Sequence, residues 1–145
     1  MFLGRYEHTI DEKGRLTIPA RFRELLADGA FVTQGLDRNL IVLPAASFLA
    51  MSENVNALSM TDPAARQLRR LIFSSAVQCD IDRAGRILIP QFLREAIQMG
   101  ETAMIIGAGR HFEIWSPEHW DAQEAILQDT EANAQRFAAF DFSIR

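Results

Sequence analysis

Apolar and polar positions follow one order along the chain, and that order is read out twice. Residues 2–10 predict a strand leading into a turn. In Arg15-Leu-Thr-Ile18 a period of two sends Leu16 and Ile18 to one face and Arg15 and Thr17 to the other. Pro19 fixes φ and lacks a donor, so the strand ends there and a short helix over about 19–26 begins, its buried face supplied by Phe22, Leu25 and Leu26. Asp28-Gly29 stops it. Phe31-Val-Thr-Gln and Leu40-Ile-Val-Leu then flank Gly35-Leu-Asp-Arg38-Asn as a hairpin. The second pass runs Arg86-Ile-Leu-Ile89, with Ile87 and Ile89 inward, then Pro90 and a hairpin of Ala103-Met-Ile-Ile and Phe112-Glu-Ile-Trp around Gly107-Ala-Gly-Arg110-His.

Between the passes lie two predicted helices, 44–56 and 62–73. The second is opened by Asp62 as N-cap and Pro63, with Leu68, Leu71 and Ile72 as an apolar stripe opposite Arg66 and Arg70. After the second pass, Ser116-Pro117-Glu118 opens one long helix to roughly residue 135. The aromatic tail alternates Phe140, Phe142 and Ile144 with Asp141 and Ser143, a strand-like period that either docks on a neighbouring subunit or frays.

The two passes are copies. Residues 11–24 and 82–95, seventy-one positions apart, share seven of fourteen residues: Asp, Gly, Arg, Ile, Pro, Arg and Glu. Asp first and Gly fourth in Asp-x-x-Gly is the preference of a type I turn. Gly35 and Arg38 recur as Gly107 and Arg110 at an offset of seventy-two, so the repeat extends through the hairpin with a one-residue insertion. Those two arginines read as local turn residues. A hairpin, a short helix and another hairpin form too small a unit to bury its own apolar faces. Two such units about a pseudo-two-fold axis close a small barrel by exchanging hairpins, which removes exposed strand edges.

These residues carry a family resemblance. The Met1-Phe-Leu-Gly start, both Asp-x-x-Gly-Arg turns with their Ile-Pro endings, the arginine-bearing middle helix and Ser116-Pro-Glu resemble the MraZ family over essentially the whole length. Those bacterial regulators are associated with the division and cell-wall gene cluster, and each half resembles the swapped-hairpin domain of AbrB-type transition-state regulators. The resemblance implies an α+β, β-rich chain: one AbrB-like repeat over 1–50, linking helices over 51–74, a second repeat over 75–120, and a C-terminal helix and tail over 121–145. It further implies a sequence-specific transcriptional regulator, cytoplasmic and nucleoid-associated, that assembles into ring-shaped homo-oligomers and binds direct repeats in its own promoter. No cofactor and no membrane partner are expected. An AbrB-like antitoxin or a scaffold without specific DNA readout is the alternative.

The family's Asp-x-x-x-Arg motifs fall on Asp11/Arg15 and Asp82/Arg86, which makes the two arginines the leading DNA contacts. Asp11, Gly14, Asp82 and Gly85 support them. From the residues alone, an outward arginine just past a hairpin turn reaches phosphate or guanine in a major groove, and an Asp–Arg pair that merely fastens the turn is the competing reading. Lys13 and Thr17 are polar where Ala84 and Leu88 are not, and Arg83 replaces Glu12, so the first copy is expected to dominate base contact. Arg21 and Arg23 on the short helix are either a solvated face or phosphate contacts. Arg66, Arg69 and Arg70 are expected to pair with acids at an internal or subunit interface.

Composition adds little and excludes much. The net charge of −4 divides unevenly: residues 1–100 carry twelve cations against eleven acids, and 101–145 carry three against eight. A local basic face is therefore needed for any nucleic-acid contact. Fourteen of fifteen cations are arginine, a bias that both phosphate recognition and a GC-rich genome produce. The single Cys79 forbids an intramolecular disulfide or a cysteine-based zinc site, and a reducing compartment is expected. His8 and Cys79 align at the repeat offset as matched packing positions, not as a catalytic pair. His111 and His119 lack metal-ligand spacing, and no phosphate-binding loop, nucleophile elbow or dinucleotide fingerprint is present.

Overall fold

The computed structural model describes residues 1–144. Among the described residues, eight strands are arranged in two antiparallel sheets. β1 (Arg5–Thr9), β3 (Ala30–Gln34), β4 (Leu40–Pro44), β5 (Val77–Cys79), β7 (Thr102–Gly107) and β8 (Phe112–Trp115) form a six-stranded sheet in the order β1-β7-β8-β4-β3-β5. β2 (Arg15–Thr17) and β6 (Arg86–Leu88) form a separate two-stranded sheet. The exchange lies in the large sheet's order: the first repeat's β1 pairs with the second repeat's β7, and the second repeat's β5 pairs with the first repeat's β3. The two hairpins meet at the centre, where Leu40 faces Ile114 and Val42 faces Phe112. This is an α+β chain of two swapped-hairpin repeats.

Helices close the gaps. α1 (Ala20–Arg23) runs into a 3₁₀ turn over Glu24–Leu26, and its counterpart is α4 (Gln91–Ala96). α2 (Ala45–Asn56) and α3 (Pro63–Ser75) link the repeats. Asp62 caps α3 by accepting from Ala64 N–H at 2.9 Å. At its other end α3 is tied to β3, where buried Thr33 donates its hydroxyl to Ile72 O at 2.9 Å. Leu68 and Ile72 of α3 pack toward Leu43 and Phe48, while Leu71 lies outside that cluster. Arg66 and Arg69 donate to main-chain oxygens of residues 58–60 rather than to acids of the chain.

The main core draws on both repeats alike: Leu16, Ile18, Phe22 and Val32 from one, and Ile87, Ile89, Leu93 and Ile105 from the other. Phe2, Phe22 and Phe112 form an aromatic group with ring centroids 5.0–5.3 Å apart. Neither unit has this core alone, because the inward residues of both repeats form one cluster. Among the described residues no helix is long and apolar enough to cross a membrane.

Three further expectations are corrected. Leu25, expected on the buried face of the short helix, is 39% exposed in the 3₁₀ turn, where Leu26 alone turns inward. The C-terminal helix is not continuous: α5 (Pro117–Leu127) ends and α6 (Thr130–Arg136) begins after it. Asp129 competes with the helical backbone for its own N–H groups and wins as an N-cap, accepting from Ala132 N–H at 3.1 Å, while Asn133 Nδ2 donates to Leu127 O at 2.8 Å across the break. The hairpin alignment also slips. Val32 faces Val42 and Ile105 faces Ile114, so β4 and β8 correspond at an offset of seventy-two but β3 and β7 at seventy-three. A two-residue insertion precedes β7, and the loop is one residue shorter, 108–111 against 35–39. Gly107 therefore corresponds to Gln34, not Gly35. It is glycine because the backbone at Phe2 and Leu3 crosses it, and a Cβ would lie 2.6 Å from Leu3.

Candidate nucleic-acid interface

Each Asp-x-x-Gly-Arg segment folds the same way. Gly14 N–H donates to Asp11 O at 3.0 Å and Asp11 N–H to Arg15 O at 3.1 Å; the second copy repeats this from Gly85 to Asp82 at 3.0 Å and from Asp82 to Arg86 at 2.9 Å. Gly14 and Gly85 have φ of +88° and +78°, so each turn is a type I turn followed by a left-handed glycine. One carboxylate then does two jobs. Asp11 Oδ1 accepts from Lys13 and Arg15 main-chain N–H groups at 3.0 and 2.9 Å, and its Oδ2 accepts from Arg15 Nε at 2.6 Å. Asp82 does likewise with Ala84 and Arg86 N–H at 2.9 Å each and with Arg86 Nε at 3.0 Å. The Arg15 N–H foremost, then its guanidinium, hold the Asp11 carboxyl below its ordinary value; the Arg86 N–H and guanidinium do the same for Asp82.

The aspartate both fastens the turn and fixes the arginine by Nε, so the two nitrogens at the guanidinium end stay available for bidentate donation. The motifs also stand side by side. β2 and β6 pair with Arg15 facing Leu88, Leu16 facing Ile87 and Thr17 facing Arg86, and Arg86 Nη1 reaches Asp11 Oδ2 at 3.9 Å. Facing residues of an antiparallel pair share a face. Leu16 and Ile87 are wholly buried, so Arg15, Thr17, Arg86 and Leu88 make up the outer face of a two-stranded ribbon. Lys13 and Arg83 stand exposed at the two turn tips, and among the described residues neither forms an ion pair.

Each turn is braced by the other repeat. Ile18 N–H donates to Gly85 O at 2.9 Å, and Ile89 N–H to Gly14 O at 2.8 Å. Arg23 Nε donates to Ile18 O at 2.8 Å with its guanidinium lying against Gly85, and Arg94 Nε donates to Ile89 O at 3.0 Å with its guanidinium against Gly14. Arg23 and Arg94 are thus matching braces inside the site, half-buried and tied to main chain. Sequence reasoning placed Arg23 on the short helix's outer face and passed over Arg94, although both belong to the seven shared residues. Arg21 stands exposed on α1, outside the ribbon, and Phe92, 48% exposed, occupies its place in the second repeat. Leu88 was missed as a member of the face; the period of two that turned Arg86 outward applies to it as well.

No cluster of three His, Cys, Asp or Glu side chains suited to a metal forms among the described residues. His8 is half-buried and Cys79 buried, at matching places on β1 and β5. His111 Nε2 lies 3.6 Å from Glu113.

Two covalently joined swapped hairpins, each ending in an aspartate-anchored arginine turn, define the class: a double AbrB-like swapped-hairpin protein. The family described as "MraZ protein, putative antitoxin-like" matches residues 1–71 and again residues 72–142. The chain belongs to the MraZ family. It is 49% identical to the transcriptional regulator MraZ of Roseiflexus castenholzii over 95% of this chain and 94% of the relative. The proteins of the same name from Thermomicrobium roseum and Desulfitobacterium hafniense (strain DCB-2) are 45% and 43% identical, over 95% and 92% of this chain and 98% and 94% of theirs.

Proposed function

We propose that the protein is a sequence-specific DNA-binding transcriptional regulator that binds direct repeats in the promoter of its own division and cell-wall gene cluster as a ring-shaped homo-oligomer on the nucleoid. The observation that carries this reading is the outer face of the β2–β6 ribbon, where two arginines are held by Nε and their terminal nitrogens make no hydrogen bond among the described residues, Arg86 Nη1 standing 3.9 Å from Asp11 Oδ2. A two-stranded ribbon enters a major groove, and a guanidinium there donates two hydrogen bonds to guanine. Lys13 and Arg83 at the turn tips suit phosphate, and Arg21, exposed on α1, offers a further cation. The relatives' name, transcriptional regulator, supports the same reading.

One ribbon brings few cations to a duplex, so a single contact is weak and falls steeply with salt. Tethering several ribbons in one oligomer raises avidity about 10²–10⁴-fold when site spacing matches subunit spacing. Subunits related by rotation present the same face in the same sense, which favours direct repeats over a palindrome. The test is a titration, at fixed salt, of upstream DNA carrying single, tandem and re-spaced sites. Tandem sites bind far more tightly, and an inserted half helical turn costs much more than a full turn. Equal binding to single and tandem sites, whatever the spacing, refutes the multivalent reading. Absence of any preference for upstream DNA refutes specific readout and favours the antitoxin or scaffold alternative.

A further inference from the structure

Leu88 is 53% exposed at one end of a cationic face. It is the only apolar residue of the ribbon's outer four, and its counterpart in the first repeat is Thr17. It faces Arg15 directly across the ribbon, so the two Cβ atoms lie about 4.5–5.5 Å apart. A leucine so placed has two kinds of partner. Another protein surface covering it also covers the Arg15 and Arg86 guanidiniums, and their aspartates already use Nε; the desolvated ends then need further acids. A major groove supplies both chemistries at once: guanine offers N7 and O6 acceptors, and thymine offers a 5-methyl group. Successive bases are spaced by about 3.4 Å along one strand, within reach of an arginine and a leucine that face each other.

We propose that Leu88 reads the 5-methyl group of a thymine in the base step beside the guanine bound by Arg15. The proposal rests on the DNA-binding reading and adds a base-specific contact to it. It also gives the ribbon polarity. The arginines and aspartates are matched across the pseudo-two-fold, but one end of the face is a leucine and the other a threonine, so the ribbon distinguishes the two directions along a duplex. Direct repeats require that distinction, whereas a ribbon with identical ends accepts either direction.

The test uses the full chain. Wild-type protein selects its preferred sequence from a randomised duplex pool, and each thymine of that sequence is replaced in turn by deoxyuridine, which removes only the methyl group. At one position per site the replacement costs wild type about three- to fourfold in affinity, the value of one buried methyl-sized group. In Leu88→Ala the same replacement costs nothing, while the guanine preference is kept. Leu88 is exposed, so the variant keeps its unfolding midpoint and its mass in solution. Deoxyuridine that is harmless at every position, or a loss undiminished in Leu88→Ala, overturns the proposal. A changed mass in solution for Leu88→Ala also overturns it, assigning the leucine to a contact between copies. Failure of the underlying reading looks different: wild type then enriches no sequence, or Arg15→Ala enriches the same one.

Discussion

Gly14→Ala and Gly109→Ala start from the same backbone, φ +88° at both glycines, and differ in what a Cβ meets. Nothing lies within 4 Å of it at Gly109, so the cost there is the left-handed strain of an L residue, about 1–2 kcal/mol. At Gly14 the Cβ overlaps the Ile89 carbonyl oxygen and lies 2.8 Å from Arg94 Nε. That carbonyl belongs to the other repeat and cannot rotate away freely, because Arg94 Nε holds it at 3.0 Å and the Ile89 N–H holds Gly14 O at 2.8 Å. Relief breaks or stretches both bonds, each worth about 0.5–1.5 kcal/mol. The sum for Gly14→Ala is about 2–5 kcal/mol, so it exceeds Gly109→Ala by about 1–3 kcal/mol. Urea unfolding at one fixed protein concentration measures both, because the proposed assembly would make midpoints concentration-dependent. Gly14→Ala also displaces Arg15 and weakens DNA binding, while Gly109→Ala spares it. Equal destabilisation by the two substitutions, or unchanged DNA binding in Gly14→Ala, refutes the idea that the turns brace one another.

Other outcomes follow from the same geometry. Arg15→Ala weakens binding to upstream DNA by about 1–3 kcal/mol with the unfolding midpoint nearly unchanged, and Arg86→Ala loses less; a large stability loss with binding intact makes the arginine structural instead. Asp11 and Asp82 titrate below the ordinary 3.8 when folded, so their contribution is complete above that value and fades as pH falls through the lower folded one. The Gly14 and Gly85 amide resonances therefore stay constant from about pH 5 to 8 and move only in stronger acid; a transition near neutrality contradicts the assignment. Burial foremost, then the Asp80 charge, pushes the Cys79 thiol up to about 12, so a disulfide reagent at mild alkaline pH labels it only in denaturant. Rapid labelling of native protein shows that β5 opens.

Local features were legible in the sequence, and pairings were not. The turns, the strand parity of Leu16 and Ile18, the proline stops and the cap at Asp62 each depend on residues within one turn of chain, and all lie where pattern reading places them. Duplication pointed to exchange of hairpins, because neither unit holds enough apolar surface alone. The partners in that exchange are non-local. No residue of β1 names β7, and the slip that matches Gly107 with Gln34 shows only once cross-strand neighbours are known. Arg23 and Arg94 were ambiguous for a related reason. An arginine on a short helix looks solvent-facing until a glycine of the other repeat is found beneath it. The break before α6 was in principle visible in Asp129-Thr130-Glu131, but acidic residues suit a helix start and a helix surface alike.

The covalent link between repeats changes what the ribbon can become. In a dimer of identical hairpins, the two-fold axis through the β2–β6 pairing makes every outer-face residue occur twice, so the ribbon reads the same in both directions and suits a palindromic step. Joining the copies in one chain keeps the parts that brace the turns in duplicate: Asp11 with Asp82, Gly14 with Gly85, Arg15 with Arg86, Arg23 with Arg94. It frees the remaining positions to differ. The differences in polarity fall on exposed or half-exposed positions, Lys13 against Ala84 and Thr17 against Leu88 on the ribbon and its turns and Arg21 against Phe92 on the short helices, while the inward Leu16, Ile18, Ile87 and Ile89 stay aliphatic. Packing constrains the inner face in both copies, whereas only a bound partner constrains the outer one. A pseudo-symmetric scaffold with an asymmetric outer face suits the proposed function, which asks the protein to lie in one direction on each of several tandem sites.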